Sequence, residues 1–272
     1  MSERRVLLVA RHVFKESVRD RVLYAIAGFA VLLVAASILI GQITAGQDIK
    51  IIKDLGLATI ELAGALMTVF IGVGLVAREI ERKSVFSLLA KPLARWEFIV
   101  GKYVGLVLTI TVNLWAMTAV LFIALAILLA MSPENVRLSW SAPALDARLL
   151  VVVLLITAEM ALLTAVALFF STFSSSALLS VVFTVGIFVA GLISADLRNF
   201  TDIVNVHPLV GQLVSTIGWL LPAFSEFDIK TQVVHGRSVP TGFVAWTLAY
   251  AAVYSAAVLG AAVGIFSRRE FK

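Results

Sequence analysis

The chain has no cysteine and little charge: only 14% of its 272 residues are Asp, Glu, Lys or Arg. A soluble domain carries about 25% charged residues. The shortage leaves too few polar groups to cover a water-soluble globule of this size. With 61% hydrophobic residues, disorder is excluded as well. The missing cysteines exclude a disulfide-stapled secreted scaffold. Histidine is equally scarce, with His12, His207 and His235 alone. The last two share a region with Glu226 and Asp228 but follow no metal-ligand spacing, so no metal site is expected. There is no HExxH and no phosphate-binding loop. Gly101-Lys102 lacks the upstream glycine and sits between helical segments instead of after a strand. No cofactor is expected.

What is present is long apolar runs, with a mean hydropathy of +1.02. A helix needs roughly 20 apolar residues to cross about 30 Å of hydrocarbon. Six stretches meet that length: Val22–Gln42, Leu57–Ala77, Val104–Met131, Leu149–Phe170, Ala177–Ala195 and Val244–Phe266. Together they make up about half the chain, yet hold only two formal charges, Glu61 and Glu159. The runs are continuous and do not alternate, which excludes a transmembrane barrel. The predicted fold class is therefore an all-α polytopic membrane protein with six transmembrane helices, formed by residues 1–272 as a single domain. Val22–Gln42 lacks a small-residue cleavage pattern and reads as an uncleaved anchor.

Basic residues set the orientation. Fifteen Lys and Arg fall in the N-terminal segment, the loop after the second span and the C-terminal tail, against seven on the other side, Lys50, Lys53, Arg137, Arg148, Arg198, Lys230 and Arg237. The larger count marks the cytoplasm, so both termini are expected inside. The net charge of +5 follows from topology. No nucleic-acid partner is expected, because these residues border the membrane instead of clustering on a folded face.

Three pieces lie between or before the spans. Residues 1–21 are expected to form an amphipathic entry helix, with Val6, Val9, Ala10, Val13, Phe14 and Ser17 on one face, lying in the headgroup region. The loop 78–101 places Val85, Phe86, Leu88 and Leu89 between charged flanks; Pro92 then breaks the helix, and a new one starts near Arg95. Its apolar residues either anchor the spans or dock into a partner's groove. The outer loop 196–243 contains Leu209–Leu221, too short to span and suited to a re-entrant or interfacial helix. The stretch after it, with Pro222, reads as polar and turn-like. Gly101-xxx-Gly105 and Gly260-xxx-Gly264 permit close helix approach.

Within the spans the polar candidates are Glu61, Asn113 and Glu159. Glu159 falls near the middle of its span, where an acidic residue costs about 2.5–3.5 kcal/mol on insertion scales. It is therefore expected to face the protein interior and to donate to Asn113 or to a neighbouring Ser or Thr. Its role is either an interhelical hydrogen bond or the lining of a path.

The order of these pieces resembles the permease subunits of ABC transporters of the type-2 exporter class: a basic entry helix, two spans, a charged cytoplasmic loop, four more spans, a long outer loop before the last, and a basic tail. The most specific match is the loop, with Glu79, Glu81, Arg82, Leu88, Leu89, Pro92, Arg95, Trp96, Gly101 and Lys102. The tail Phe266–Phe271 is also similar to the family's ending. The outer-loop sequence LLPAFSEFDIK is similar to permeases labelled as involved in multi-copper enzyme maturation. The resemblance implies a lipid-embedded subunit of the cell (inner) membrane. It pairs with a second permease, as a homodimer, and with two copies of a separate ABC ATPase. It maps the coupling helix onto Ser84–Ala90 and gives ATPase-coupling roles to Glu79, Glu81, Arg82, Phe86, Leu88 and Leu89. The chain itself would not be an enzyme. A membrane anchor that signals through an ATPase, or a polytopic membrane enzyme, would share the same composition.

Overall fold

The computed structural model describes residues 2–43, 48–81, 94–140, 142–174, 176–200 and 207–268. Every regular element among them is helical. The long helices are α1 (Ser2–Ser17), α2 (Arg21–Ile43), α3 (Asp48–Glu81) and α4 (Arg95–Met131). The short α5 (Glu134–Ser139) precedes α6 (Arg148–Phe173), α7 (Ala177–Leu192) and α8 (Ser194–Arg198). The chain then forms α9 (Pro208–Leu220), a 3-10 turn (Phe224–Phe227), α10 (Lys230–Val234) and α11 (Thr241–Arg268).

Among the described residues, five helices are long and apolar enough to cross a membrane: α2, α3, α4, α6 and α11. They correspond to five of the six expected spans. The sixth, Ala177–Ala195, is split: α7 ends at Leu192 after 16 residues, and α8 starts at Ser194. Ile193 turns the chain between them, with φ −98° and ψ 9°. A helix of 16 residues is about 24 Å long, short of the hydrocarbon thickness.

α6 forms the axis of the bundle, packed by α3, α4, α7 and α11. Leu149, Val152, Val153, Leu155, Ile156, Met160, Leu162 and Leu163 are all buried there. α2 and α11 cover the outside and turn most of their surface away from the bundle. α7 shows the polarity expected of a helix facing lipid. Its buried residues are Ser180, Thr184 and Gly191, whereas Leu178, Val182 and Val189 are exposed. Small and hydroxyl residues at helix interfaces, with branched aliphatics outside, suit a lipid solvent. Five buried threonine hydroxyls bond within their own helix. Thr68, Thr109, Thr118, Thr164 and Thr184 each donate to the carbonyl four residues back.

Two features depart from the pattern-based reading. α3 begins at Asp48, so Lys50 and Lys53 lie on a helix that continues into the bundle instead of in an outer loop. Lys53 is fully buried, and its ammonium donates to the Pro143 carbonyl with Asp146 as its charged neighbour. A lysine is tolerated there because the 142–147 segment folds over it and supplies acceptors. The apolar face of α1, in turn, is spent on protein. Ala10, Val13 and Ser17 are buried where α1 packs along α4. Gly101 and Gly105 open that groove. A Cβ at Gly101 would stand 2.7 Å from the Val9 Cβ, and one at Gly105 would stand 2.6 Å from the Ala10 carbonyl oxygen.

Candidate functional site

Two regions concentrate the polar side chains. The first is the end at which α3 stops and α4 starts. α3 has 34 residues and α4 has 37, about 51 and 55 Å at 1.5 Å per residue. Both exceed a 30 Å hydrocarbon layer. Helix α4 starts at Arg95, the position expected after Pro92.

Its first turn is held on three sides. Buried Glu97 accepts from the Ala94 backbone N–H at 3.0 Å, which satisfies an N-terminal donor and places negative charge at the positive end of the helix. The same carboxylate lies 3.8 Å from the Arg5 guanidinium on α1. Arg95 donates to the Phe266 and Ser267 carbonyls, a cation on the C-terminal carbonyls of α11. Phe98 stacks on Phe266 with centroids 6.0 Å apart, and the Lys102 ammonium stands 4.5 Å from the Phe98 ring. The start of α4, the length of α1 and the end of α11 thus form one platform beside the 82–93 connection.

Of the coupling residues expected from sequence, Glu79 and Glu81 fall in the last turns of α3. Arg82, Phe86, Leu88 and Leu89, with the segment Ser84–Ala90, lie outside the described residues.

The second region is a plug. Residues 222–235 leave α9, enter the bundle and pack among α3, α6 and α7. The sequence pattern predicts a polar turn here, but Ala223, Phe224, Phe227, Ile229, Val233 and Val234 are all buried. Phe224 sits over Gly191, where a Cβ would stand 2.4 Å from its ring, and meets the Phe188 ring edge-on at 5.2 Å. The Tyr250 hydroxyl accepts from the Ala223 N–H at 3.0 Å, and the Tyr254 hydroxyl donates to the Leu220 carbonyl at 2.8 Å. Both tyrosines belong to α11, which thus holds the plug at Ala223 and the end of α9 at Leu220. The chain leaves the plug at Gly236, whose φ of +73° requires glycine.

The plug brings charge to the intramembrane acids. The Lys230 ammonium pairs directly with Glu61 on α3, and lies 3.6 Å from Asp228. Burial pushes the Lys230 ammonium below the usual lysine range, and the Asp54 carboxylate pulls it partly back. Glu159 on α6 is 2% exposed, and its Oε1 meets no hydrogen-bond partner among the described residues. Its charged neighbour is Asp228 of the plug. Asn113, the expected partner, donates instead to the Thr109 carbonyl of its own helix at 2.8 Å. Glu61 is therefore balanced by a basic residue from outside the spans, which span-by-span counting could not supply. The alternation of apolar and charged residues in FSEFDIKTQVV was the available signal; it reads as a turn only if the neighbouring helices are ignored.

Among the described residues, no group of three or more His, Cys, Asp or Glu could hold a metal ion. Residues 7–270 match a family model described as "ABC-2 family transporter protein". No curated protein shows significant similarity to the chain.

Proposed function

The chain belongs to the ABC-2 transporter family, and from that premise we propose that it is the permease subunit of an ATP-driven exporter, moved by a separate ATPase through the 78–101 loop. It is a multi-pass membrane protein of that family. Both termini and the 78–101 loop face the cytoplasm, and the Ala177–Arg198 helix pair completes a sixth crossing of the cell membrane. Two copies of the permease, each with one ATPase subunit, make the working unit.

The observation that supports coupling is the platform. Glu97, Arg95 and Phe98 join α4 to α1 and α11 at the end from which residues 82–93 depart. A push on that loop acts on α3 and α4 directly, and on α1 and α11 through these contacts. Elsewhere along its length α11 holds the plug through Tyr250 and the end of α9 through Tyr254. A tilt of α11 against α6 therefore loosens the plug, and rupture of the Lys230–Glu61 pair accompanies its release. Glu61 and Glu159 then line the opened path.

The test is the Phe86→Ala/Leu89→Ala double variant. Its loss of apolar contact area, at about 25 cal/mol per Å², weakens docking on the ATPase. The ATPase then fails to co-purify, or hydrolyses ATP without moving substrate. Normal assembly and transport in the double variant would reduce the loop to a plain connector.

A further inference from the structure

On the side of the bundle that carries the plug, α6 and α11 border a groove of about 360 Å³. Its walls are Val151 and Leu154 of α6, Val233 of α10, Val239 of the segment after it, and Val244, Ala245 and Leu248 of α11. Its mouth is polar, formed by Arg148, Ser238 and Thr241. The groove runs from Arg148 to Leu154, about 9 Å along the helix axis at 1.5 Å per residue. It opens on the outer face of the bundle: Leu150 and Leu154 of α6 are exposed there, and Ala245 of α11 is exposed too.

Two observations set its depth and its chemistry. Trp246, one residue after Ala245, is 76% exposed on the outer face of α11. An exposed tryptophan near the end of a membrane helix sits at the headgroup level. The mouth is also cationic. The Arg148 guanidinium donates to the Gly236 carbonyl at 2.8 Å, which fixes its position over the groove. The nearest acid in sequence, Asp146, accepts from the Arg148 backbone N–H at 2.9 Å and has buried Lys53 as its charged neighbour. Its charge is thus directed toward α3.

A fixed guanidinium with two hydroxyls at headgroup depth, above an apolar slot, complements a phosphate that carries an acyl chain. We propose that this groove binds an anionic phospholipid, with its phosphate on Arg148 and one acyl chain between α6 and α11. The lipid wedges the same two helices whose movement frees the plug, so its occupancy sets how readily they part.

The test is native mass spectrometry of the purified full-length protein with phosphatidylglycerol and phosphatidylcholine of identical chains. The unaltered protein should retain phosphatidylglycerol roughly fivefold better, the factor that one basic residue supplies at a membrane surface. Arg148→Gln should abolish that preference while phosphatidylcholine retention persists. Arg148→Lys keeps the charge and should keep the preference, which separates loss of charge from loss of fold. Ala245→Trp fills the slot and should lower retention of both lipids. Arg137→Gln, a basic residue elsewhere on that side, should change neither. An undiminished preference in Arg148→Gln, or an equal loss in Arg137→Gln, would overturn the assignment.

Discussion

The Lys230–Glu61 pair gives the most demanding test of the plug. Both side chains are nearly withdrawn from solvent, at 14% and 16% exposure. Removing one member of a buried pair strands the other, at a cost of about 3–5 kcal/mol. The residual exposure places this pair at the lower end, about 3 kcal/mol. The two single variants should not be equal. In Glu61→Gln the ammonium still has Asp228 at 3.6 Å. Because burial already lowers its proton affinity, it can also shed its charge. In Lys230→Met the Glu61 carboxylate loses the cation that the plug brought to it. Lys230→Met should therefore cost about 3 kcal/mol and Glu61→Gln distinctly less. The double variant should be no worse than Lys230→Met, since the stranded charge is gone. That corresponds to a coupling of about 1–3 kcal/mol in the cycle. Thermal unfolding in detergent, followed by intrinsic fluorescence, reads these differences. At about 2–4 °C per kcal/mol for a chain of this size, Lys230→Met should melt about 6–12 °C lower. Additive single losses, or a larger loss in Glu61→Gln, would refute the reasoning.

Other expectations follow from the same contacts. Gly105→Ala places a methyl 2.6 Å from the Ala10 carbonyl, a backbone atom that cannot turn aside, so α1 should detach at a cost of about 1–3 kcal/mol. Faster protease clipping within residues 2–17, with the rest of the chain intact, would report it. Single cysteines can be read without background, because the chain has none. Those at Lys50, Arg137 and Arg237 should react with an impermeant reagent, and those at Lys83 and Lys272 should not; external labelling at Lys83 would invert the topology. Glu159→Gln keeps shape and donor but cannot ionise. If it folds normally yet abolishes transport, Glu159 acts in the path; if it transports normally while Glu159→Ala fails to fold, the residue is structural.

Much of the bundle was legible in the residues. Continuous apolar runs located the five long helices, and Pro92 followed by Arg95 marked the start of α4. Gly101 and Gly105 signalled a close approach, although the sequence could not say which helix would come; α1 came, burying Ala10, Val13 and Ser17 against α4. The interior of the plug was not legible. Phe224, Phe227 and Lys230 sit in a stretch whose acids and proline suggest a surface turn, and only the helices around it turn Phe224 onto Gly191 and Lys230 onto Glu61. The same limit applies to Glu159: its burial follows from its place in an apolar span, but its neighbour Asp228 comes from a segment about 70 residues later. The break at Ile193 was marked only by Gly191 before it and the polar residues Ser194, Asp196 and Arg198 after it, which read equally well as the end of a full span.

The central claim is that a separate ATPase grips this chain at the 78–101 loop. A photoreactive amino acid at Phe86, activated in native membranes, tests it most directly. The account predicts a covalent adduct with a nucleotide-binding ATPase subunit, at Phe86 and not at the outer position Arg237. An adduct with that ATPase from Arg237, or none from Phe86 while the ATPase still co-purifies, would contradict it.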